Sequence, residues 1–320
     1  MTHILTVTPN PAIDLSTSVA KVAPSRKLRC GEVRRDPGGG GLNVARVAGR
    51  LGARTTAVIP VGGETGRQLE ALVRAEGVHS LASPIAGATR ENVTVLDLSS
   101  GDEFRFVMPG PRLADREWMA CLSILAKVEE RPTLICASGS LPPGAPRDFY
   151  ARVAEIAEMM SVPFVLDTSG PPLAEALRER IRLIKPNLAE LQELVGVALN
   201  SEEALVGACR ELISTGRTEA VALTLGADGA LLVTHDEAWR GHAPDVAARS
   251  TVGAGDSFMG AMAWALAEGQ ELPEAFAWGC AAGAAAVLQF GTELSLAEDV
   301  RRLVPHVRIE KLTARAPSTV

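Results

Sequence analysis

Residues 250–267, STVGAGDSFMGAMAWALA, place two glycines and an acid at the start of an apolar run with helical spacing. Successive amides of Gly253, Ala254 and Gly255 at a helix N-terminus could bind an anion, such as the oxyanion that develops on a transferred phosphoryl group. Asp256 could then accept a proton from an attacking hydroxyl. A simple helix cap is an equally good interpretation of Asp256 from this stretch alone.

The segment KPNLAE, residues 185–190, allows two interpretations. Asn187 followed three residues later by Glu190 is typical of a capping box, which favours a purely structural role. Lys185, however, ends an apolar strand just before that cap. Because ligands of α/β sheets gather at the carboxyl ends of strands, Lys185 is a candidate ligand-binding residue.

The glycine-rich run 36–52, DPGGGGLNVARVAGRLG, fits neither common nucleotide motif. The dinucleotide spacing G-x-G-x-x-G fails because Asn43 stands where Gly38 and Gly40 would require a third glycine. A P-loop is excluded because no glycine in the sequence is followed by lysine. The run is therefore either a flexible loop or a set of helix-start amides that approach a polar ligand closely.

Other polar residues are weak signals when each is taken alone. Asp14 follows the first strand and a proline turn, and Arg29 and Arg90 are isolated cations that are typically solvated. The histidines and cysteines show no zinc-ligand spacing. No G-x-S-x-G motif indicates a hydrolase, and ASGSLP at 137–142 only approaches it.

The composition bounds the class of protein. The chain has 320 residues, of which 47% are hydrophobic and 22% charged, enough for one large domain or a domain with an appendage. A net charge of −6 without a dense basic cluster gives no support to nucleic-acid binding. The five scattered cysteines favour reduced thiols. With no apolar run near the ~20 residues of a membrane span and no signal-peptide pattern, we expect a cytoplasmic protein.

Short apolar runs alternate with amphipathic segments, a pattern that predicts βαβ units around a buried, mostly parallel sheet. The candidate strands are ILTVT, TTAVIPV, TLICAS, PFVLD, LIKPN and AVALTL. The candidate helices cover roughly 42–51, 65–76, 115–128, 147–160, 173–180, 188–195 and 202–215.

Two segments, 16–35 and 91–110, break this alternation. The second alternates polar and apolar residues around a Ser-Gly-Asp turn and is predicted to form a hairpin. We expect the two segments to make a small β appendage, followed after Asp256 by an Ala-rich helical region to about residue 303. The final residues, ARAPSTV, are typical of a frayed tail.

These motifs, in this order, resemble the ribokinase-like, B-type phosphofructokinase family of carbohydrate kinases. The likeness covers residues 3–303 and rests on Gly-Gly-x-x-Asn at 39–43, N-x-x-E at 187–190 and G-A-G-D at 253–256. The segments KLRC, PGGGGLNVAR, RFVMPG, SGSLPPG, KPN and STVGAGDS look like its minor, ATP-dependent 6-phosphofructokinase subgroup.

The resemblance implies a Rossmann-like αβα sandwich over residues 1–303, with a β lid from about 12–36 and 89–110. The family pattern does not cover residues 304–320, which we expect to form a frayed C-terminal extension. It implies ATP-dependent phosphorylation of fructose 6-phosphate at the C1 hydroxyl, to fructose 1,6-bisphosphate and ADP, as in glycolysis. It also implies Mg²⁺, a monovalent cation such as K⁺, and a homodimer formed through the lids.

The resemblance also assigns residues. Asp256 is implied as the catalytic base, and the amides of Gly253, Ala254 and Gly255 as the anion hole. The phosphosugar is assigned to Asp14, Lys27, Arg29 (reaching across the dimer), Gly39, Gly40, Asn43, Arg90 and Ser140. ATP is assigned to Lys185, Asn187, Thr224, Gly226, Gly229, Cys280 and Gly283. Mg²⁺, through water, is assigned to Asn187 and Glu190. The monovalent cation is assigned to Ser250, Val252, Ala286, Gln289 and Gly291, beside Glu293, where the family leads us to expect a basic residue.

Three alternatives stay open at this point. A 1-phosphofructokinase or a tagatose-6-phosphate kinase would keep the same catalytic set. A non-catalytic nucleotide or sugar sensor could use the same fold, although Asp256, Glu190 and Lys185 form a complete set that a sensor would not need. A dehydrogenase is disfavoured by the failed glycine spacing.

Overall fold

The computed structural model describes residues 2–214 and 216–312. Its strands are β1 (His3–Val7), β2 (Ala12–Val19), β3 (Arg34–Gly38), β4 (Arg54–Val61), β5 (His79–Pro84), β6 (Arg90–Asp97), β7 (Glu103–Phe106), β8 (Leu134–Ser138), β9 (Phe164–Asp167), β10 (Leu183–Ile184), β11 (Ala220–Thr224), β12 (Ala230–Thr234), β13 (Ala238–His242) and β14 (Arg308–Lys311). Its helices are α1 (Gly40–Leu51), α2 (Gly63–Ala75), α3 (Asp115–Ala126), α4 (Phe149–Met159), α5 (Gly170–Ala176), α6 (Leu188–Val195), α7 (Glu202–Ser214), α8 (Ala254–Ala267), α9 (Leu272–Ala286) and α10 (Ala297–Leu303).

The large sheet has ten strands in the order β14-β13-β12-β11-β10-β9-β8-β1-β4-β5. Neighbours from β5 to β11 run parallel, and those from β11 to β14 run antiparallel. The carboxyl ends of β1, β8, β9 and β10 therefore meet at one edge of the sheet. In a parallel sheet this edge is where ligands bind.

Helices cover both faces of the large sheet because successive strand residues point to opposite sides. Leu5 and Ile135 pack in one core with residues of α3, α4 and α7. Ile4 and Leu134 pack in the other with residues of α1, α8 and α9. A Cβ on Gly260 of α8 would lie 2.7 Å from Val47 Cβ on α1, so glycine allows these two helices to approach closely. None of the helices in the described ranges has the length and apolar character needed to cross a membrane.

A separate four-stranded sheet, the small sheet, has the order β3-β2-β6-β7. Strand β2 pairs antiparallel with β3 and parallel with β6, and β6 and β7 form an antiparallel hairpin. Its strands overlap the two segments that break the helix–strand alternation of the sequence, 16–35 and 91–110, although β2 begins before the first segment and β3 ends after it. Several large apolar side chains around β7 are exposed, namely Phe104, Phe106, Val107 and Met108.

The predicted fold class, a mostly parallel αβα sandwich, is confirmed, but the end of the chain differs from expectation. Residues 304–312 do not fray: a 3-10 turn at Val304–His306 leads into β14, which pairs with β13. The side chains of Val307 and Ile309 pack against buried core residues, which explains why this segment stays folded. The expected fraying of residues 313–320 and the predicted helix end at residue 215 lie outside the described residues.

Candidate active site

Helix α8 begins at the predicted anion-binding turn. Its N-cap is Gly253, with a φ of 74°, and a Cβ on Gly253 would lie only 2.7 Å from Leu294 Cδ2. Glycine is favoured here because it tolerates a positive φ and carries no side chain to clash. No side chain among the described residues caps this helix, and the Ala254 amide makes only a long hydrogen bond, 3.4 Å, to the Thr251 carbonyl. The first amides of α8, with the positive end of the helix dipole, are therefore available to an anion.

Asp256 is the third residue of α8 and is not its cap, because Gly253 occupies that position. Its Oδ2 accepts a 2.8 Å hydrogen bond from Nδ2 of Asn43 on α1. Burial, and next the negative charge of Asp167, raise the pKa of Asp256 to about 6, against the opposing effects of Asn43 and Lys185. A carboxylate with this pKa is mostly ionised at neutral pH and can still accept a proton.

Lys185 and Asp167 form a buried ion pair beside this turn. Lys185 Nζ lies 3.1 Å from Asp167 Oδ1 and 3.4 Å from where a Cβ on Gly255 would stand. Burial favours the neutral amine, but the nearby carboxylates outweigh it, so the pKa of Lys185 is raised and its charge is kept. Sequence reasoning missed Asp167. The signal was present, because Asp167 ends β9 at the same sheet edge to which Lys185 belongs.

Asn187 and Glu190 form the predicted capping box at the start of α6. The Asn187 amide donates to Glu190 Oε2 at 2.8 Å, and the Glu190 amide donates to Asn187 Oδ1 at 2.9 Å. Burial raises the pKa of Glu190, and the charge of Asp167 raises it further, although the hydrogen bond from Asn187 opposes both. The capping role therefore coexists with a carboxylate whose ionised form is disfavoured by burial and by the charge of Asp167.

A cleft of about 160 Å³ lies between the small sheet and the start of α8. It brings together six of the residues predicted as catalytic or sugar-binding: Asp14, Gly39, Gly40, Asn43, Arg90 and Asp256. Sequence reasoning missed other lining residues, which lie on β6, on β7 and in the loop before α10, such as Asn92, Arg105 and Thr292. The hairpin was predicted, but no pattern in one sequence shows which of its side chains face the cleft.

The polar groups of the cleft are held in place by one another. Asn92 Nδ2 donates to Asp14 Oδ1 at 2.8 Å, and burial raises the pKa of Asp14 despite that bond and the charge of Arg90. Arg90 donates through Nη2 to the Asn10 carbonyl at 2.8 Å and through Nη1 to the Met108 carbonyl. Burial lowers the pKa of Arg90, but arginine stays charged at any physiological pH.

The structure does not bring all predicted sugar-binding residues to this cleft. Lys27 and Arg29 lie on an exposed loop between β2 and β3, and Ser140 is exposed after β8. None of the three is among the described residues that line the cleft. A single copy of the chain therefore leaves these three candidates outside the assembled site.

The predicted nucleotide-binding residues follow the same sheet edge. The Thr224 amide donates to the Pro186 carbonyl at 3.0 Å, which places Thr224 beside Asn187. Gly226 and Gly229, both with positive φ, bracket a 3-10 turn after β11. Gly283 faces α8, because a Cβ there would lie 3.7 Å from the Ala254 carbonyl.

Cys280 lies one turn before Gly283 on α9 and is buried against β13. A Cβ on Gly241 would stand 2.8 Å from Cys280 Sγ. Burial raises the pKa of the Cys280 thiol to about 12, so the thiol is neutral and unreactive. The side chain can therefore contribute shape but no charge to a neighbouring ligand.

Only some of the residues predicted to hold a monovalent cation contact one another in the described part of the chain. Ser250 Oγ lies 3.3 Å from the Gly291 carbonyl, and the Val252 amide donates to Ser250 Oγ at 3.2 Å. The Ala286 carbonyl accepts instead from the Gln289 amide at 3.0 Å. Glu293, in the place where a basic residue was expected, forms an ion pair with Arg34 of β3.

A larger cavity, about 550 Å³, opens at the opposite edge of the large sheet. His3, Arg54 and His79, at the amino ends of β1, β4 and β5, help to line it, and none of the predicted site residues does. The carboxyl-terminal edge remains the candidate active site because the buried ion pair, the helix turn and the cleft converge there.

The comparisons with known proteins agree with this assignment. The chain matches the model of the pfkB family carbohydrate kinases over residues 7–299. It is 44% identical over 300 residues to the ATP-dependent 6-phosphofructokinase isozyme 2 of Mycobacterium tuberculosis, covering 94% of this chain and 88% of that protein. It is 33% identical to the 1-phosphofructokinase of Bacillus subtilis, covering 97% of this chain and 100% of that protein. The crystal structure of phosphofructokinase-2 from Escherichia coli in complex with potassium matches with a TM-score of 0.91 and 36% identity, covering 96% of this chain and 99% of that one. The chain therefore belongs to the pfkB family of carbohydrate kinases.

Proposed function

We propose that this chain is a cytoplasmic kinase that phosphorylates fructose 6-phosphate at its C1 hydroxyl with ATP, giving fructose 1,6-bisphosphate and ADP in glycolysis. One observation carries the proposal: the Asp256 carboxylate lines the cleft and also stands in the first turn of α8, near buried Lys185. The name of the 44% identical relative, an ATP-dependent 6-phosphofructokinase, supports the choice of substrate.

In the proposed reaction Asp256 takes the proton of the C1 hydroxyl. The oxygen of that hydroxyl forms a bond to the γ-phosphorus of ATP as the bond from that phosphorus to ADP breaks. Asn43 holds Oδ2 of Asp256, which leaves the other carboxylate oxygen to receive the proton. With a pKa of about 6, Asp256 is ionised at neutral pH and remains basic enough to help the attack.

Negative charge on the transferred group would be stabilised by the amide of the N-cap Gly253 and by the first amides of α8, from Ala254 and Gly255. Lys185 would add a full positive charge. Asp167, paired with it at 3.1 Å, would hold the ammonium in place. Fixed donors of this kind stabilise developing charge without having to reorganise during the reaction.

The same edge fits a magnesium ion bound together with ATP phosphates. No group of three or more His, Cys, Asp or Glu side chains in the described ranges is arranged to hold a metal alone. Mg²⁺ commonly binds through one or two carboxylates, water and substrate phosphates instead. Glu190 and Asn187 would supply such oxygen ligands through water, and a cation there would offset the burial that raises the pKa of Glu190. The ion would neutralise phosphate charge.

The cleft would hold the sugar. Asp14, with Asn43 and the backbone at Gly39 and Gly40, would bind sugar hydroxyls. Arg90, whose orientation the Asn10 and Met108 carbonyls fix, would bind the phosphate at the far end of the sugar, and Arg105 would add charge there. The small sheet would act as a lid that excludes water from the reaction.

A homodimer through the small sheets would complete the site. Lys27, Arg29 and Ser140 are exposed, and Arg29 would reach the sugar phosphate of the other copy. The exposed apolar side chains around β7 support such an interface, because patches of this kind mark interaction surfaces.

ATP would lie along the carboxyl ends of β10 and β11. Its phosphates would meet Lys185 and Asn187, and the remainder would be bound by Thr224, Gly226, Gly229, Cys280 and Gly283. Potassium would bind between the loop before α8, which carries Ser250 and Val252, and the end of α9 with the loop after it, which carry Ala286, Gln289 and Gly291. The E. coli structure in complex with potassium supports this cation assignment.

One assay separates the proposal from its alternatives. ADP release is measured with fructose 6-phosphate, fructose 1-phosphate, tagatose 6-phosphate and unphosphorylated fructose, each at matched ATP and Mg²⁺. We expect the highest kcat/KM with fructose 6-phosphate. A preference for fructose 1-phosphate would favour 1-phosphofructokinase, whose B. subtilis form is a relative. A preference for tagatose 6-phosphate would favour that kinase. No turnover with any sugar would favour a sensor.

A further inference from the structure

Arg46 is a buried cation that the reaction described above does not use. It lies on α1 three residues after Asn43, and its side chain is 1% exposed. Its Nη2 lies 3.0 Å from Glu76 Oε1 and 3.6 Å from Asp36 Oδ1. A buried charge is tolerated only when it is paired, and replacing such a pair by apolar residues is often neutral. Stability alone therefore does not explain why an arginine stands here.

The other terminal nitrogen of Arg46 points to a second role. Nη1 donates to the Pro37 carbonyl at 2.9 Å and to Asn43 Oδ1 at 3.3 Å. Arginine can only donate, whereas a carboxamide has one accepting and one donating end. Arg46 therefore holds the oxygen of Asn43 towards itself. The amide nitrogen of Asn43 is then left to donate to Asp256 Oδ2 at 2.8 Å.

We propose that Arg46 is a positioning residue, which fixes the orientation of the Asn43 amide so that Asn43 donates to the Asp256 carboxylate. This inference rests on the proposed role of Asp256 as general base. Without Arg46 the Asn43 amide can turn over, and its oxygen would then repel the carboxylate. Because Pro37 belongs to β3, the same guanidinium also ties the small sheet to the base.

The expected consequence is a change in proton affinity. The bond from Asn43 lowers the pKa of Asp256, whereas burial and the charges of Asp167 and Asp14 raise it, and Lys185 lowers it. Loss of the Asn43 bond leaves the other groups in place, so the pKa of Asp256 rises. The acidic limb of the kcat/KM profile follows it, because that limb reports ionisation of the base in the free enzyme.

The test is the pH dependence of kcat/KM for fructose 6-phosphate in Arg46→Gln. We expect the acidic limb to move up by about one pH unit, so that kcat/KM at pH 6 falls up to about tenfold more than at pH 8.5. The KM for ATP should not change, because Arg46 is not among the described residues that line the cleft and lies on α1 rather than at the nucleotide-binding edge.

Glu76→Gln is the matched control. It removes a carboxylate partner of Arg46 but leaves the 3.3 Å bond to Asn43. We expect this variant to lower Tm without moving the acidic limb. If Arg46→Gln does not fold, Arg46→Lys keeps a cation beside Glu76. Its one nitrogen is attracted to Glu76 and lacks the second, separately placed donor that Nη1 of arginine offers to Asn43, so we expect the acidic limb to move in this variant as well.

A double variant completes the test. In an Asn43→Ala background, Arg46→Gln should add no further shift, because its effect passes through Asn43. The positioning role is overturned if the acidic limb of the kcat/KM profile stays in place in both Arg46 variants. It is also overturned if that limb moves as far in Glu76→Gln as in the Arg46 variants. Asp256→Asn separates the two proposals. If Asp256→Asn is inactive but the acidic limb of the Arg46 variants does not move, only the role of Arg46 is refuted. Full turnover in Asp256→Asn removes the base, and this inference with it.

Discussion

The carboxyl-terminal edge of the large sheet and the turn between β6 and β7 in the small sheet hold carboxylates in opposite ways. At the edge, burial and neighbouring charge raise the pKa values of Asp256 and Glu190. In the small sheet, hydrogen bonds from the Val22 amide and the Ser99 hydroxyl lower the pKa of Asp97 to about 2. The edge keeps its carboxylates ready to bind a proton or a cation. In the small sheet, Asp97 is fully satisfied and stabilises a turn.

The two regions also differ in the exposure of their cationic and apolar side chains. At the edge, Lys185 is buried and paired with Asp167 inside one chain. In the small sheet, Lys27, Arg29 and Phe104 are exposed. Under the proposed function, the carboxyl-terminal edge would act within a single copy, whereas the sugar-phosphate end would need substrate and a second copy to be complete.

Asp256→Asn tests the chemical centre and should give the largest effect. An amide cannot accept the proton, and general base catalysis typically contributes about 10²–10⁴-fold to the rate. We expect kcat to fall by that factor while the dissociation constant for ATP stays within about threefold, measured by calorimetry. A near-wild-type kcat would refute the assignment of the base.

Arg90→Ala tests the sugar-phosphate end. Hydrogen bonds to a charged group contribute about 1.5–3 kcal/mol, which corresponds to roughly a 10–100-fold rise in KM for fructose 6-phosphate. The KM for ATP should change little. Arg67→Ala, which removes an exposed arginine on α2, is the control and should leave both constants unchanged. Equal changes in both KM values of Arg90→Ala would place Arg90 elsewhere.

Phe104→Glu tests whether the small sheet is an interface. A charge at an apolar interface is strongly unfavourable, so we expect the dimer dissociation constant to rise about tenfold or more in analytical ultracentrifugation. KM for fructose 6-phosphate should rise in parallel if Arg29 acts across the interface. Met159→Glu, at another exposed apolar side chain, is the control. A protein that is monomeric before substitution would contradict the proposed dimer.

The sequence predicts the α/β architecture well because its strands and helices are separated by clear changes of period. Strands β5, β12, β13 and β14 were missed. β5 and β13 carry polar residues within short runs, so their apolar pattern is weak. β12 and β13 form antiparallel pairs, which a pattern of alternating strands and helices does not predict. The tail illustrates the same limit, since β14 is a strand only because β13 offers a free edge to pair with.

The site was predictable where a residue type sits at a strand end or a helix start, as for Lys185, Asn187 and Asp256. It was not predictable where the role depends on contact between distant segments. Asn43 meets Asp256 only because α1 and α8 pack closely, and Asn92 meets Asp14 only through pairing of β2 with β6. Such contacts join residues far apart in sequence and leave no local pattern.

The smallest expected effect is the change in stability on replacing Asp256 or Asp97, the two carboxylates compared at the start of this Discussion. Asp256 has a folded-state pKa of about 6 against an ordinary value of 3.8, so its charged form destabilises the folded state above pH 6 and has no effect below about pH 3. Asp256→Asn should therefore be more stable than the parent at pH 8. We expect about 1–2 kcal/mol, less than the full shift implies because the side chain is partly exposed, with no difference at about pH 3.

Asp97→Asn should behave in the opposite way. Because the folded-state pKa of Asp97 is lowered to about 2, its charged form stabilises the folded state above its ordinary pKa, and this stabilisation is lost as pH falls towards 2. Urea unfolding at pH 8 should show a lower free energy of unfolding for Asp97→Asn and a higher one for Asp256→Asn. The same sign for both variants would mean that the two regions hold their carboxylates alike, and that the edge of the large sheet stores no electrostatic strain for catalysis.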